Sequence, residues 1–250
     1  MSIYTTEGII LKHKDFREAD RVITIYSKDY GKIEAITKGS RKIKSKLAGS
    51  LEPFCLVNLN IVKGRNFNTV ISSEIIKNYR NIKNNFEKIV LANYFTEIID
   101  SLTKVHHHDP KLFNFINSIF EILDSENKMV GRKIFIIWFF IWRFLSLLGY
   151  KPELRQCLKC RKNIKPNNNF FSFDQGGVIC SSCNKLIKNK IPISDDTIKI
   201  LRIILERDLK HLVLIKINKN IICEINKLTD LFLKYHLDKE IKAEGYLSII

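Results

Sequence analysis

Four of the six cysteines in this 250-residue chain, Cys157, Cys160, Cys180 and Cys183, form two C-x2-C pairs separated by 19 residues. Each pair turns two thiolates toward one side of a tetrahedron, and two pairs complete the shell of a Zn²⁺ ion. Four thiolates leave no coordination position for water, so one structural Zn²⁺ is expected rather than a hydrolytic one. Phe170, Phe171 and Phe173, beside Gly176-Gly177, read as a small hairpin packed on this site. Stacking on bases is the alternative use of those rings. Cys55 and Cys223 lie in apolar segments and are expected as small core residues.

A second constellation is cationic. Lys38, Arg41, Lys42, Lys44 and Lys46 place five basic side chains in nine positions, among Gly39, Ser40 and Ser45. An exposed loop of this kind can follow a phosphate backbone, releasing counterions without reading sequence. Arg21 and Arg65 are expected to join the same phosphate-binding surface, with Lys12, Lys14, Arg17 and Lys63 in support. Phe16, Tyr26 and Tyr30 have the shape to stack on bases or to fill a core.

No catalytic constellation emerges. His106-His107-His108-Asp109 looks like a metal cluster, but three consecutive residues do not converge easily on one ion, and Asp109-Pro110 marks a turn before a helix. The sequence contains no G-x-x-x-x-G-K-[ST], G-x-G-x-x-G, H-E-x-x-H or G-x-S-x-G. Asp15, Glu18 and Asp20 sit among Arg17 and Arg21 as surface ion pairs do. The expectation is a protein that is not an enzyme, with no catalytic residues.

These sites need elements to hold them. Tyr4–Lys12, Arg21–Ser27, Lys32–Lys38, Phe54–Lys63 and Asn68–Ile76 are short, β-branched and partly alternating, as strands are. Asp29-Tyr30-Gly31 supplies a tight turn between the second and third, and Gly64-Arg65-Asn66 one between the fourth and fifth. Five short strands with a long loop after the third suit a small closed barrel. The OB-fold is such a barrel and commonly binds oligonucleotides, while an SH3-like barrel would give nearly the same strands. Beyond residue 78 the period becomes helical, with Phe86, Ile89, Val90, Tyr94 and Ile98, then Leu112, Phe115, Ile116, Ile119 and Leu123. A third helix over Gly131–Leu148 is apolar on most faces and should be central, and Gly149-Tyr150-Lys151-Pro152 ends it. Ser194 followed by Asp195 and Asp196 opens a helix near Ile198–Arg207, and a last helix lies near Cys223–Leu237.

At 45% hydrophobic and 27% charged residues the composition is that of a globular chain. Lys and Arg number 42 against 26 acids, a net +16 that points to a polyanion, nucleic acid or anionic membrane. The excess is not uniform. Residues 1–80 carry 15 basic and 8 acidic side chains and 155–192 carry 8 and 1, while the two remaining segments are nearly balanced. The longest apolar stretch, Ile134 to Leu148, contains Arg143, Ser146 and both tryptophans. A spanning helix needs about 20 apolar residues, so a buried helix and no membrane partner are expected. No signal peptide is read at the N-terminus, and reduced thiols in a cytosol follow.

Several segments together resemble the RecO family of bacterial recombination mediators. Arg17-Glu18-Ala19-Asp20-Arg21 runs into a strand and Gly31-Lys32-Ile33 follows the hairpin turn. Lys38-Gly39-Ser40-Arg41-Lys42-Ile43-Lys44-Ser45 is similar to the family's K-G-x-R-x-x-K-S loop, and Leu51-Glu52-Pro53-Phe54 to its L-x-P-F entry into the fourth strand. Leu148-Gly149-Tyr150-Lys151-Pro152 is similar to its L-G-Y-x-P signature ahead of the first knuckle. The likeness is strongest over 1–76 and 145–183, and the zinc ligands, lost in some members, are intact here. It implies an α+β multidomain protein: an OB-fold over 1–78, a helical domain over 79–153 and 193–250, and an inserted zinc module over 154–192. It further implies binding of single- and double-stranded DNA and annealing of complementary strands without ATP. Implied partners are RecR, the C-terminal tail of single-strand-binding protein and, indirectly, RecA, in the bacterial cytoplasm at the nucleoid. The competing reading is a zinc-ribbon protein of transcription or RNA metabolism that binds nucleic acid without annealing it.

Overall fold

The structure, a computed structural model, describes residues 2–45, 47–65, 67–105, 107–125 and 133–249. Lys46, Asn66, His106 and Gly131, which figure in the expectations above, lie outside the described residues. The chain forms two compact units, Met1–Asn127 with Lys239–Ile250, and Lys128–Asp238.

The first unit opens with five strands, β1 (Ile3–Phe16), β2 (Asp20–Ser27), β3 (Gly31–Thr37), β4 (Cys55–Val62) and β5 (Asn68–Asn78). They close into a barrel in the order β1-β2-β3-β5-β4. Closure depends on β1, whose first half pairs with β4 and second half with β2. The two ladders overlap at Gly8, opposite Ser27 on one side and Val57 on the other. A Cβ at Gly8 would sit 2.5 Å from Ile25 Cγ2, so glycine permits this close passage. A register shift between Ile10 and Lys12 bends the strand further. The last seam is parallel, Ala35 opposite Asn68 and Ile36 opposite Thr69. This is the OB-fold, which settles the choice between the two barrels. Ile10, Ile23, Ile25, Ile33, Leu59 and Ile61 are among the side chains that fill it. Strand alternation explains the sorting: Ile33, Ala35 and Thr37 of β3 are buried, while Glu34 between them is exposed.

Three helices follow, α1 (Arg80–Lys83), α2 (Phe86–Leu102) and α3 (Pro110–Asp124). Asp109 caps α3, its carboxylate accepting the amides of Lys111 and Leu112, and Pro110 opens the first turn. Asp100 of α2 ties that helix to the barrel, accepting Lys12 Nζ at 2.6 Å and Lys32 Nζ at 3.4 Å. Burial alone would raise the Asp100 carboxyl, but the two ammonium groups prevail and hold it below the usual carboxylate range. A 3-10 segment, Lys242–Ile249, returns to α2, where the Lys242 and Ala243 amides donate to the Glu97 carboxylate at 3.0 and 2.9 Å.

The second unit is built on α4 (Lys133–Leu145), which packs against α5 (Asp195–Glu206), α6 (Leu209–Val213) and α7 (Lys219–His236). With its wider last turn α4 reaches 18 residues and is, by length and composition alone, apolar enough to cross a membrane. Its tryptophans nevertheless bond inside the unit. Trp138 and Trp142 are buried and donate their indole N–H groups to Asn226 Oδ1 (2.7 Å) and Thr229 Oγ1 (2.9 Å) of α7. That is how a core helix satisfies buried donors. One expectation is corrected here. Cys223 is exposed, because the buried stripe of α7 runs through Ile225, Leu228, Thr229, Phe232 and Leu233. Two residues before Ile225, Cys223 is turned by roughly 200° to the far side. Cys55, by contrast, is buried as expected.

Candidate nucleic-acid interface and metal centre

The 38–45 loop is held at its base and open at its tip. Gly39 takes the left-handed conformation, φ +63°, and its amide donates to Asp20 Oδ1 at 2.8 Å. Ser40 is buried, its hydroxyl paired with Thr37 Oγ1 at 2.8 Å. Arg41 then laces the loop to the β1–β2 turn. Its amide donates to the Ala19 carbonyl at 3.0 Å, its guanidinium to the Glu18 carbonyl at 3.0 Å, and it lies 3.5 Å from the Asp15 carboxylate. Lys38, Lys42 and Lys44 are left exposed, and none has an ion pair among the described residues. Between them Ile43 is fully exposed.

Three of the segments that carried the family likeness, 17–21, 38–45 and 51–54, therefore meet at one end of the barrel. Asp20 of the turn holds Gly39 of the loop. Arg21 bridges Asp15 and Glu52, at 3.2 Å to each, and Glu52 precedes the Pro53-Phe54 entry into β4. Arg17, at φ +53°, stacks its guanidinium on Phe16 at 5.1 Å.

Expected site residues thus fall into three groups. Lys38, Lys42 and Lys44 are free cations on a fixed base. Arg21 and Arg41 are engaged with carboxylates and carbonyls of the protein itself, as is Lys12 with Asp100. Arg65 is exposed but sits in the turn leaving β4 at Val62, whereas the 38–54 loop enters at Cys55. At about 3.3 Å per residue, that strand separates them by about 23 Å. Tyr26 belongs to the core, and Tyr30 is exposed against Tyr4, their rings 4.5 Å apart. Sequence reasoning missed Asp20 and Ser40 as the anchors of the loop, since nothing in their local sequence shows which amide or hydroxyl each will meet.

In the second unit, β6 (Asn169–Ser172) and β7 (Gly177–Ile179) form the expected hairpin, and β8 (Ile191–Ile193) adds on the other side of β6. The Sγ atoms of Cys157, Cys160, Cys180 and Cys183 all lie within 4.8 Å of one another. Cys160 and Cys180 are 3.9 Å apart, close to the edge of about 3.8 Å for a tetrahedron with Zn–S bonds of about 2.3 Å. The knuckles close on themselves through Arg161 N to Cys157 O (2.8 Å) and Cys183 N to Cys180 O (3.0 Å). Burial pushes the Cys157 thiol up, yet the amides of Cys160, Cys180 and Lys159 outweigh it and bring it to about 6. Cys183 is pushed up to about 12, chiefly by its hydrogen bond with Cys180. Four thiols this close share protons, and a dication is the species that lets all four ionise. The donor set fits a tetrahedral, thiophilic ion.

The same hairpin is fastened to the rest of the unit. Glu153, just past Gly149 (φ +97°) and Pro152, exchanges backbone bonds with Gly176 (3.0 Å) and Val178 (2.8 Å). A Cβ on Gly177 would lie 2.4 Å from the Glu153 carbonyl oxygen, so this contact requires glycine. Phe171 is buried, edge-on to Trp142 at 6.1 Å and to Phe232 at 5.8 Å. Its role is packing, not base stacking.

An OB barrel with a cationic loop, joined to a helical unit bearing four convergent thiols, defines the class. Within that class, residues 1–79 match the family described as Recombination protein O N terminal, and residues 83–244 the one described as Recombination protein O C terminal. The chain belongs to the RecO family. It is 32% identical over 246 residues to the DNA repair protein RecO of Dehalococcoides mccartyi, covering 98% of this chain and 95% of the relative. To that of Caldanaerobacter subterraneus it is 31% identical over 246 residues, covering 98% of each. To that of Acetivibrio thermocellus it is 29% identical over 251 residues, covering 100% of this chain and 98% of the relative.

Proposed function

We propose that this protein is a DNA-binding recombination mediator of double-strand break and gap repair. It binds single strands and anneals complementary ones without ATP, and with RecR it loads RecA onto DNA coated by single-strand-binding protein, whose C-terminal tail it engages. The observation that carries this reading is the fixed loop with three free lysines. Lys38, Lys42 and Lys44 neutralise phosphates, while Gly39, Ser40 and Arg41 keep them presented on one end of the barrel. Neutralising phosphates of two strands at once lowers their mutual repulsion, so base pairing proceeds without an energy source. Binding of this kind carries little sequence preference and weakens steeply with salt.

The metal ligands are Cys157, Cys160, Cys180 and Cys183, and the ion is Zn²⁺ in a structural role, joining the two knuckles. The functional division follows 1–78 for DNA, 79–153 with 193–250 for the helical scaffold, and 154–192 for the metal module. The protein acts stoichiometrically, not as an enzyme, at the nucleoid in the bacterial cytoplasm. Annealing of two complementary oligonucleotides precoated with single-strand-binding protein tests this without nucleotide present. Acceleration that fades with salt is expected. DNA binding with no acceleration would favour a plain zinc-ribbon binding protein instead.

A further inference from the structure

The second cationic block lies in the metal module. We infer that Lys159, Arg161, Lys162, Lys165, Lys185 and Lys188 form a further surface that holds the phosphate backbone of a single DNA strand, separate from the barrel loop. This rests on the DNA-binding reading above and extends it to the other unit.

Three observations carry it. First, residues 155–192 hold eight basic side chains and one acid. A Zn²⁺ with four thiolates is itself net −2, which accounts for two of the seven excess charges and leaves about five. Second, all six named cations are exposed, and none has an ion pair among the described residues. Elsewhere in the unit several cations are matched: Lys199 with Asp196 at 2.9 Å, Lys234 with Asp230 at 2.9 Å, Arg155 with Glu206 at 2.7 Å. Arg143 and Arg202 are turned onto carbonyls, at 2.6 Å to Ile204 and 2.5 Å to Leu154. Even within the module Lys190 is spent on the carbonyls of Asn184 and Ile187. The six thus have no ion pair, and Lys159, Arg161, Lys162 and Lys185 lie within two residues of cysteines whose Sγ atoms are all within 4.8 Å of one another, which gathers them about one point.

Third, the cluster has a fixed base. Lys159 stands inside the first knuckle, between Cys157 and Cys160. Arg161 follows it at φ +61°, locked by its amide bond to Cys157 O. Asn167 and Asn168, also at positive φ, turn the chain back beyond Lys165, and the Asn167 amide donates to Asp195 at 3.1 Å. Like-charged side chains held together repel one another. A polyanion that runs past them relieves that repulsion and releases its own counterions.

Lysine acetylation of the full chain, read by mass spectrometry with and without a single-stranded oligonucleotide, tests the inference. Protection of Lys159, Lys162, Lys165, Lys185 and Lys188, alongside Lys38, Lys42 and Lys44, is expected. Protection confined to the loop would overturn the inference and leave the proposed function standing. Protection at neither surface would overturn both. Protection of the module by an Asp- and Glu-rich peptide but not by the oligonucleotide would also overturn it, in favour of a protein partner. A variant gives an independent measure: replacing the five module lysines with Gln should lower the slope of log affinity against log salt by about 0.7 for each phosphate contact removed, with the zinc content unchanged. An unchanged slope would contradict the inference.

Discussion

The guanidinium of Arg41 donates to the Glu18 carbonyl oxygen at 3.0 Å, so the one arginine of the basic loop faces the protein. Its neighbour Lys42 has no such tie. The two residues should therefore fail differently. Arg41→Lys keeps the charge but loses the forked donor. It should weaken binding of a single strand about fivefold, equivalent to about 1 kcal/mol, with the salt slope unchanged. Lys42→Gln should lower that slope by about 0.7. Fluorescence anisotropy over about 50–200 mM salt measures both. An Arg41→Lys variant that behaves as wild type would remove the positioning role.

Asp100 is the second point of test. Its carboxyl is held below the ordinary range in the fold, so the unfolded chain binds the proton more readily. The stability it confers is complete above the unfolded value of about 4 and is lost as pH falls through the lower folded value. Asp100→Asn should cost about 2 kcal/mol at neutral pH, and the gap to wild type should narrow in acid. Urea unfolding at several pH values reads this. A gap independent of pH would mean that the link through Lys12 and Lys32 is not the source.

Both tryptophans, Trp138 and Trp142, belong to the second unit, and Trp142 touches Phe171 of the metal-bearing hairpin. Removing zinc with a chelator should change the tryptophan emission and lower the melting temperature of that unit. One zinc per chain is expected by elemental analysis, and Cys160→Ser should lose it. Phe171→Ala should cost about 3–5 kcal/mol. Emission indifferent to chelation would uncouple the hairpin from α4.

Two glycines separate strain from collision. Gly39 has φ +63° with only the Lys42 side chain near its Cβ position, at 3.7 Å, so Gly39→Ala should cost about 1–2 kcal/mol. Gly31 has φ +65°, and a Cβ there would lie 2.2 Å from the His107 carbonyl oxygen. Gly31→Ala should cost distinctly more by urea titration. Equal costs would contradict the close approach of the 107–108 backbone.

What could be read from sequence was what short range decides. The cysteine knuckles were legible because two thiolates three positions apart fix half a tetrahedron locally. The strands were legible because alternation and tight turns are local too, to within a few residues at each end. Contacts made by closure were not legible. Arg21 reads as a phosphate ligand by type, and only the folded barrel brings Asp15 and Glu52 to it. Arg65 reads as part of the same surface until strand direction sends its turn to the far end of β4. Cys223 sits beside Ile221 and Ile222, so its segment looks apolar while its own face of α7 is wet. The C-terminal segment depends on Glu97, 146 residues before Ala243, a distance no local pattern spans.

In the proposed function, three free lysines on a fixed loop drive annealing. The direct measurement is the annealing rate of complementary strands coated with single-strand-binding protein, without nucleotide, for wild type and for Lys38→Gln/Lys42→Gln/Lys44→Gln. The expected result is a variant with wild-type melting behaviour and zinc content that no longer accelerates annealing. A variant that anneals at the wild-type rate would remove the loop lysines from the annealing step.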